Sequence, residues 1–113
     1  MHELAVTESV LKTAIEYAEK ANASAITDIY LVIGDLSSFV NDSVQFYFDF
    51  FSKGTLAEGA QLHFERIKPK LRCRSCGQEF EMEVTDWTCP HCGAMGGDVV
   101  AGKEFFLKSI EIV

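Results

Sequence analysis

The chain has 113 residues, 48% of them hydrophobic and 24% charged, with a formal net charge of −7. That length excludes anything larger than one small domain, or one domain carrying a small metal module, and the apolar content excludes a disordered chain. No apolar run approaches the ~20 residues that span a bilayer, and the acidic total argues against a general nucleic-acid binder, whose affinity rests on phosphate contacts. The first predicted element is a helix from Leu4 to Ala21. Leu4, Leu11, Ile15 and Ala18 form one stripe, flanked by Val10, Ala14, Tyr17 and Ala21 at helical spacing. Asn22 suits a left-handed stop. Ile26–Ile33 reads as a strand, with Ile29, Leu31 and Ile33 on one face and Gly34-Asp35 at its end. Asn41, Asp42 and Ser43 are N-cap candidates for a second helix. Val44, Tyr47, Phe48 and Phe51 follow its core spacing, with Phe46 and Phe50 beside them. Gly54 closes that helix and Ala57 to Gly59 forms a turn. Gln61–Lys68 is a second strand, in which His63 faces solvent or the sheet rim. Pro69 breaks it.

The next stretch holds all four cysteines: Cys73-Arg-Ser-Cys76-Gly77, eleven residues, then Cys89-Pro-His-Cys92-Gly93. A Cys-x-x-Cys pair can grip one metal from a tight turn. The following glycine supplies the positive φ that lets backbone N–H groups point at the sulfurs. Two such turns offer four sulfurs, which suits tetrahedral Zn²⁺ in a closed, structural site. Two disulfides are the competing reading. No secretory leader is expected ahead of the body, so the expected compartment is cytoplasmic and reducing, where metal is favoured. A redox pair would need one Cys-x-x-Cys opening a helix. Iron fits the ligands but has less support than zinc. An insert this short needs its metal to fold. Gly96-Gly97 leads back, and Glu104–Val113 reads as a last strand.

Charge is uneven. Arg66, Lys68, Lys70, Arg72 and Arg74 alternate through the neck, on one face if it is extended. They read either as a docking stripe for an acidic partner or, more simply, as a solvated edge that discourages strand pairing. Between the knuckles Glu79, Glu81, Glu83 and Asp86 suggest a plain hairpin with its acidic face in water. The fold class expected is α+β: a three-stranded sheet with two helices, plus an inserted zinc ribbon. The body spans 1–68 and 98–113 and the insert 69–97.

The chain opens Met1-His2-Glu3. The α-amine, the His2 backbone nitrogen and imidazole Nδ1 can close five- and six-membered chelate rings on one cation. A deprotonated amide nitrogen favours Ni(II) or Cu(II). Glu3 could add an oxygen or orient the imidazole. The bulk of His2 should keep Met1 in place. No nucleotide-binding loop of the Walker type is present, nor a Ser/His/Asp or Cys/His arrangement outside the knuckles, so an enzyme is not expected.

Taken together, Met1-His2-Glu3-Leu4, Ile33-Gly34-Asp35-Leu36, Lys53-Gly54-Thr55-Leu56-Ala57-Glu58-Gly59-Ala60, the double knuckle and Lys108-Ser109-Ile110-Glu111-Ile112 resemble the HypA/HybF family of nickel metallochaperones. The resemblance covers essentially the full length. It implies a carrier that delivers nickel during [NiFe]-hydrogenase maturation, some members also serving urease. The implied partners are the GTPase HypB, a hydrogenase large-subunit precursor and urease accessory proteins, without membrane or nucleic acid. It implies His2 as the essential nickel ligand, Met1 as amine donor and Glu3 as helper. Cys73, Cys76, Cys89 and Cys92 match the zinc ligands, and His91 sits where some members carry a histidine beside the knuckle cysteines, which points to a pH- or metal-sensing role, or more plainly to an exposed knuckle side chain. The alternative function is a zinc-ribbon module for nucleic acid or transcription machinery. A structural adaptor without transferable metal is a third.

Overall fold

A computed structural model of the chain describes residues 3–82 and 86–113. Helix α1, Glu3–Lys20, buries Thr7, Leu11, Ala14 and Ala18, a repeat of four, three and four that makes one stripe. Glu3 in its first turn and Lys20 in its last complement the helix dipole. It ends at Asn22, which takes the expected left-handed conformation with φ 56°. Leu4, expected in the stripe, is 45% exposed, because the buried face is centred on Thr7 and Ala14 instead.

Strand β1, Ile26–Gly34, lies centrally in a three-stranded sheet of order β2-β1-β6, with β2 at Gln61–Ile67 and β6 at Phe105–Ile112. Val113 N–H donates to the Ala25 carbonyl and Gly34 N–H to that of Glu104, so β1 and β6 run antiparallel. Strand β1 buries Leu31, Val32 and Ile33 in succession, so both of its faces are covered there, not one as alternation implied. Gly34 needs no Cβ: one would stand 2.1 Å from the Gly102 carbonyl.

Helix α2, Asn41–Phe51, buries Val44 and Phe48. Its N-cap is Val40, with no side-chain cap, and none of the polar candidates Asn41, Asp42 and Ser43 takes that place. The Val40 N–H instead meets the Glu3 carboxylate at 3.3 Å, a partner distant in sequence. Phe46 and Phe50 point outward, 68% and 66% exposed.

The cysteine-bearing segment forms a second sheet of order β4-β3-β5, from β3 Lys70–Arg72, β4 Glu79–Glu81 and β5 Asp98–Ala101. Leu71 is its hub, opposite Phe80 on one side and Val99 on the other. The expected plain hairpin between the knuckles is thus a strand paired with the neck, and Glu83 lies outside the described residues. The expected α+β class, two helices with a three-stranded sheet and a small cysteine-bearing module, is what the structure shows. By contacts the chain divides into two compact units: residues 1–32, 39–65 and 106–113, and residues 33–38 and 66–105. Among the described residues no helix is long and apolar enough to cross a membrane.

Candidate metal centre

Each Cys-x-x-Cys turn folds by the same hydrogen bonds. Gly77 N–H donates to the Cys73 carbonyl and Gly93 N–H to that of Cys89, both at 2.9 Å. Cys73 N–H reaches the Gln78 carbonyl, and Cys89 N–H that of Ala94. Gly77 and Gly93 sit at φ 76° and 80°, which a side chain would resist. Reversing the chain this way turns amides toward sulfur: His91 N–H lies 3.4 Å from Cys89 Sγ.

The four sulfurs converge. Cys73 Sγ lies 3.5 Å from Cys92 Sγ, and Cys76 Sγ 3.7 Å from Cys89 Sγ. All four fall within 4.8 Å of one another, and all four are free thiols. A tetrahedron with ~2.3 Å metal–sulfur bonds has edges of about 3.8 Å. The donor set therefore fits one ion and leaves no position open for water. Cys73 and Cys89 are buried among Leu71, Phe80 and Met82, while Cys76 and Cys92 face outward.

Electrostatics separate the thiols. Cys73 is drawn down to about 6, first by the Cys76 N–H and then by that of Ser75, against desolvation. At Cys92 the Ala94 N–H lowers the value, but neighbouring Cys73, desolvation, Cys76 and Cys89 outweigh it and push it up to about 12. Four negative sulfurs at this spacing repel strongly. Only a cation among them lets all four ionise together.

The basic stripe is mostly neutralised within its own unit. Arg66 pairs with Asp35 at 2.9 Å, Lys70 and Arg72 with Glu79 at 3.6 and 3.0 Å, and Arg74 with Asp98 at 3.0 Å. Exposed pairs like these add little stability. They do take the positive charge that a nucleic-acid surface would need. Asp35 and Asp98, far from the stripe in sequence, were not legible as its partners.

His63 is 42% exposed at its side chain. Its Nε2 meets Asp28 Oδ1 at 2.8 Å, and its ring stacks on Tyr30 at 4.5 Å. His91 is exposed beside the cysteines. Of the N-terminal trio, Met1 and His2 lie outside the described residues, and Glu3 is the residue that meets Val40.

A family model described as hydrogenase/urease nickel incorporation metallochaperone HypA matches residues 1–112. The hydrogenase maturation factor HypA of Dehalococcoides mccartyi strain 195 is 46% identical over 112 residues, covering 99% of this chain and 94% of its own. That of Aquifex aeolicus is 37% identical, with 99% and 97% covered. The solution structure of the Ni metallochaperone HypA from Helicobacter pylori superposes with a TM-score of 0.69 at 26% identity, covering 100% of this chain and 98% of that one. A second solution structure of a HypA protein gives 0.75 at 27%, covering 100% and 97%. With a family model matched from end to end and relatives at these identities, the chain belongs to the HypA family.

Proposed function

We propose that the protein is a nickel metallochaperone for [NiFe]-hydrogenase maturation, taking Ni(II) at Met1-His2-Glu3 and holding Zn²⁺ permanently at Cys73, Cys76, Cys89 and Cys92. The observation that carries this reading is the family match over residues 1–112, which includes the Met-His-Glu opening. Nickel is cargo in this reading. The α-amine of Met1, the His2 amide nitrogen and the His2 imidazole form a small nitrogen donor set at a chain end. So few donors release an ion readily by ligand exchange. Glu3 already has a use at the start of α1, since its carboxylate receives the Val40 N–H. Its part toward nickel is to be shared with that contact. The zinc assignment rests on sulfur geometry and on four closed positions. The GTPase HypB, a hydrogenase large-subunit precursor and urease accessory proteins are the partners that fit a carrier without its own nucleotide site.

Nickel titration of the untagged, zinc-loaded chain by calorimetry tests the reading. The native chain should bind one Ni(II). His2→Ala should lose that isotherm while keeping its helical and sheet circular dichroism. Nickel should leave as pH falls below ~6.5, where imidazole protonates. An unchanged isotherm in His2→Ala would remove the N-terminal site from consideration.

A further inference from the structure

Glu8, Lys12, Glu16 and Glu19 recur every three or four residues along α1 and so share one edge of the helix. Beside that edge a groove of about 430 Å³ opens toward the end of α2. Leu11, Ile15 and Phe51 give it an apolar lining, and the glutamates and Lys12 form its rim. Three carboxylates thus face one ammonium. Among the described residues none of the three glutamates enters an ion pair.

The apolar surface does not stop at the groove. Phe51 meets Phe50 edge-on, with centroids 5.4 Å apart. Phe50 is 66% exposed, and Phe46, one turn back on the same face, is 68% exposed. Helix α2 needs only Val44 and Phe48 for its buried side. Phenylalanines left in water beside an apolar groove mark a contact surface.

Charge selects the occupant. A second copy of this chain would oppose glutamate rim to glutamate rim, and an anionic membrane would meet the same repulsion. A cationic helix with one apolar face satisfies both parts of the groove. Glu8 to Glu19 spans ~16 Å, or about three turns of such a helix. We propose that this groove docks a basic amphipathic helix of a partner protein. Its apolar side chains would lie on Leu11, Ile15 and Phe51 and its Lys or Arg against Glu8, Glu16 and Glu19. The proposal is independent of nickel binding and goes beyond it.

The test uses the full, metal-loaded chain and a synthetic helical peptide of about four turns, leucine at i, i+3 and i+4 spacing and lysine elsewhere. A second peptide carries glutamate in place of lysine. Amide NMR shifts on titration should be confined to residues 8–19 and 46–55 for the lysine peptide and absent for the glutamate peptide. Glu16→Lys should weaken binding several-fold. Glu81→Lys, the same charge change at an exposed site of the other unit, should leave it nearly unchanged. Ile15→Asp, checked for an unaltered thermal transition, should also weaken it. Shifts scattered over the whole surface, equal binding of both peptides, or equal loss in Glu81→Lys would overturn the proposal. So would self-association, or binding to phosphatidylserine vesicles, that moves these same amides without any peptide.

Discussion

Tyr30 shows how one side chain is tuned by its neighbours. Its hydroxyl donates to a Glu111 carboxylate oxygen, and its ring stacks within 12° of the His63 plane. His63 in turn meets Asp28. The Glu111 hydrogen bond, with desolvation and the charges of Glu111 and Asp28, pushes the Tyr30 phenol up to about 12. Asp28 moves the other way, held below the usual carboxylate range first by the His63 hydrogen bond and then by the Thr27 hydroxyl. The signs follow from linkage. A raised phenol stabilises the fold while it is protonated. That contribution is whole below ~10, the value of a free tyrosine, and is lost as pH climbs through about 12. The Asp28 contribution is whole above ~3.9 and fades as pH drops through its lower folded value. Absorbance titration of the chain against Tyr30→Phe isolates this phenol by difference. Its step should be centred near 12 and should return toward ~10 in Glu111→Gln. A Tyr30 step already at the free value in the native chain would show that the Glu111 contact does not hold in solution.

At the scale of elements, length decides what could be read from the chain. Helices α1 and α2 and strands β1 and β2 are long enough to show a period, and their places were legible. Strands β3, β4 and β5 have three, three and four residues, and β3 and β4 each set a single apolar anchor, Leu71 and Phe80, between charges. No period can appear in so short a run, and pairing with distant segments is what makes them strands. The Val40 cap failed to show for a similar reason, because its partner Glu3 is supplied by another helix. The cysteine site was legible because its information is local: spacing, glycine and residue type. The exposure of Phe46 and Phe50 was not, since spacing alone does not say how wide the covered face is. Pairing also predicts a sensitive position. A Cβ on Gly97 would stand 2.4 Å from the Arg72 carbonyl oxygen, where β5 enters beside β3. Gly97→Ala must push the two backbones apart, and overpacking of this kind costs about 1–3 kcal/mol. Urea unfolding of the metal-loaded variant should show that loss. An unchanged midpoint would mean that the approach of the two strands is looser than the structure has it.

The two units of the molecule differ in what holds them together. The first has two helices on sheet residues and a run of buried side chains that includes Leu11, Ile29, Val44, Phe48 and Leu62. The second has a buried cluster of Leu71, Phe80 and Met82 with Cys73 and Cys89, so two of its five members are themselves proposed metal ligands. Its strands are short and its charged pairs lie at the surface. Removing the ion would leave thiols that cannot all ionise, and the knuckle turns would lose the atom that gathers them. Stripping the proposed zinc with a mercurial and a chelator under reducing conditions should therefore collapse the amide dispersion of residues 66–105 while that of residues 3–32 and 39–65 persists. Restoring Zn²⁺ at pH 7 should recover the spectrum and release close to four protons per ion, because thiols in an unfolded segment, with pKa values of ~8.5, are protonated at that pH while the bound ion holds thiolates. Proton release measured in two buffers of different ionisation enthalpy gives that count directly. If residues 66–105 keep their dispersion without metal, the apolar cluster around Leu71 suffices to fold the second unit, and the sulfurs serve some purpose other than holding it together.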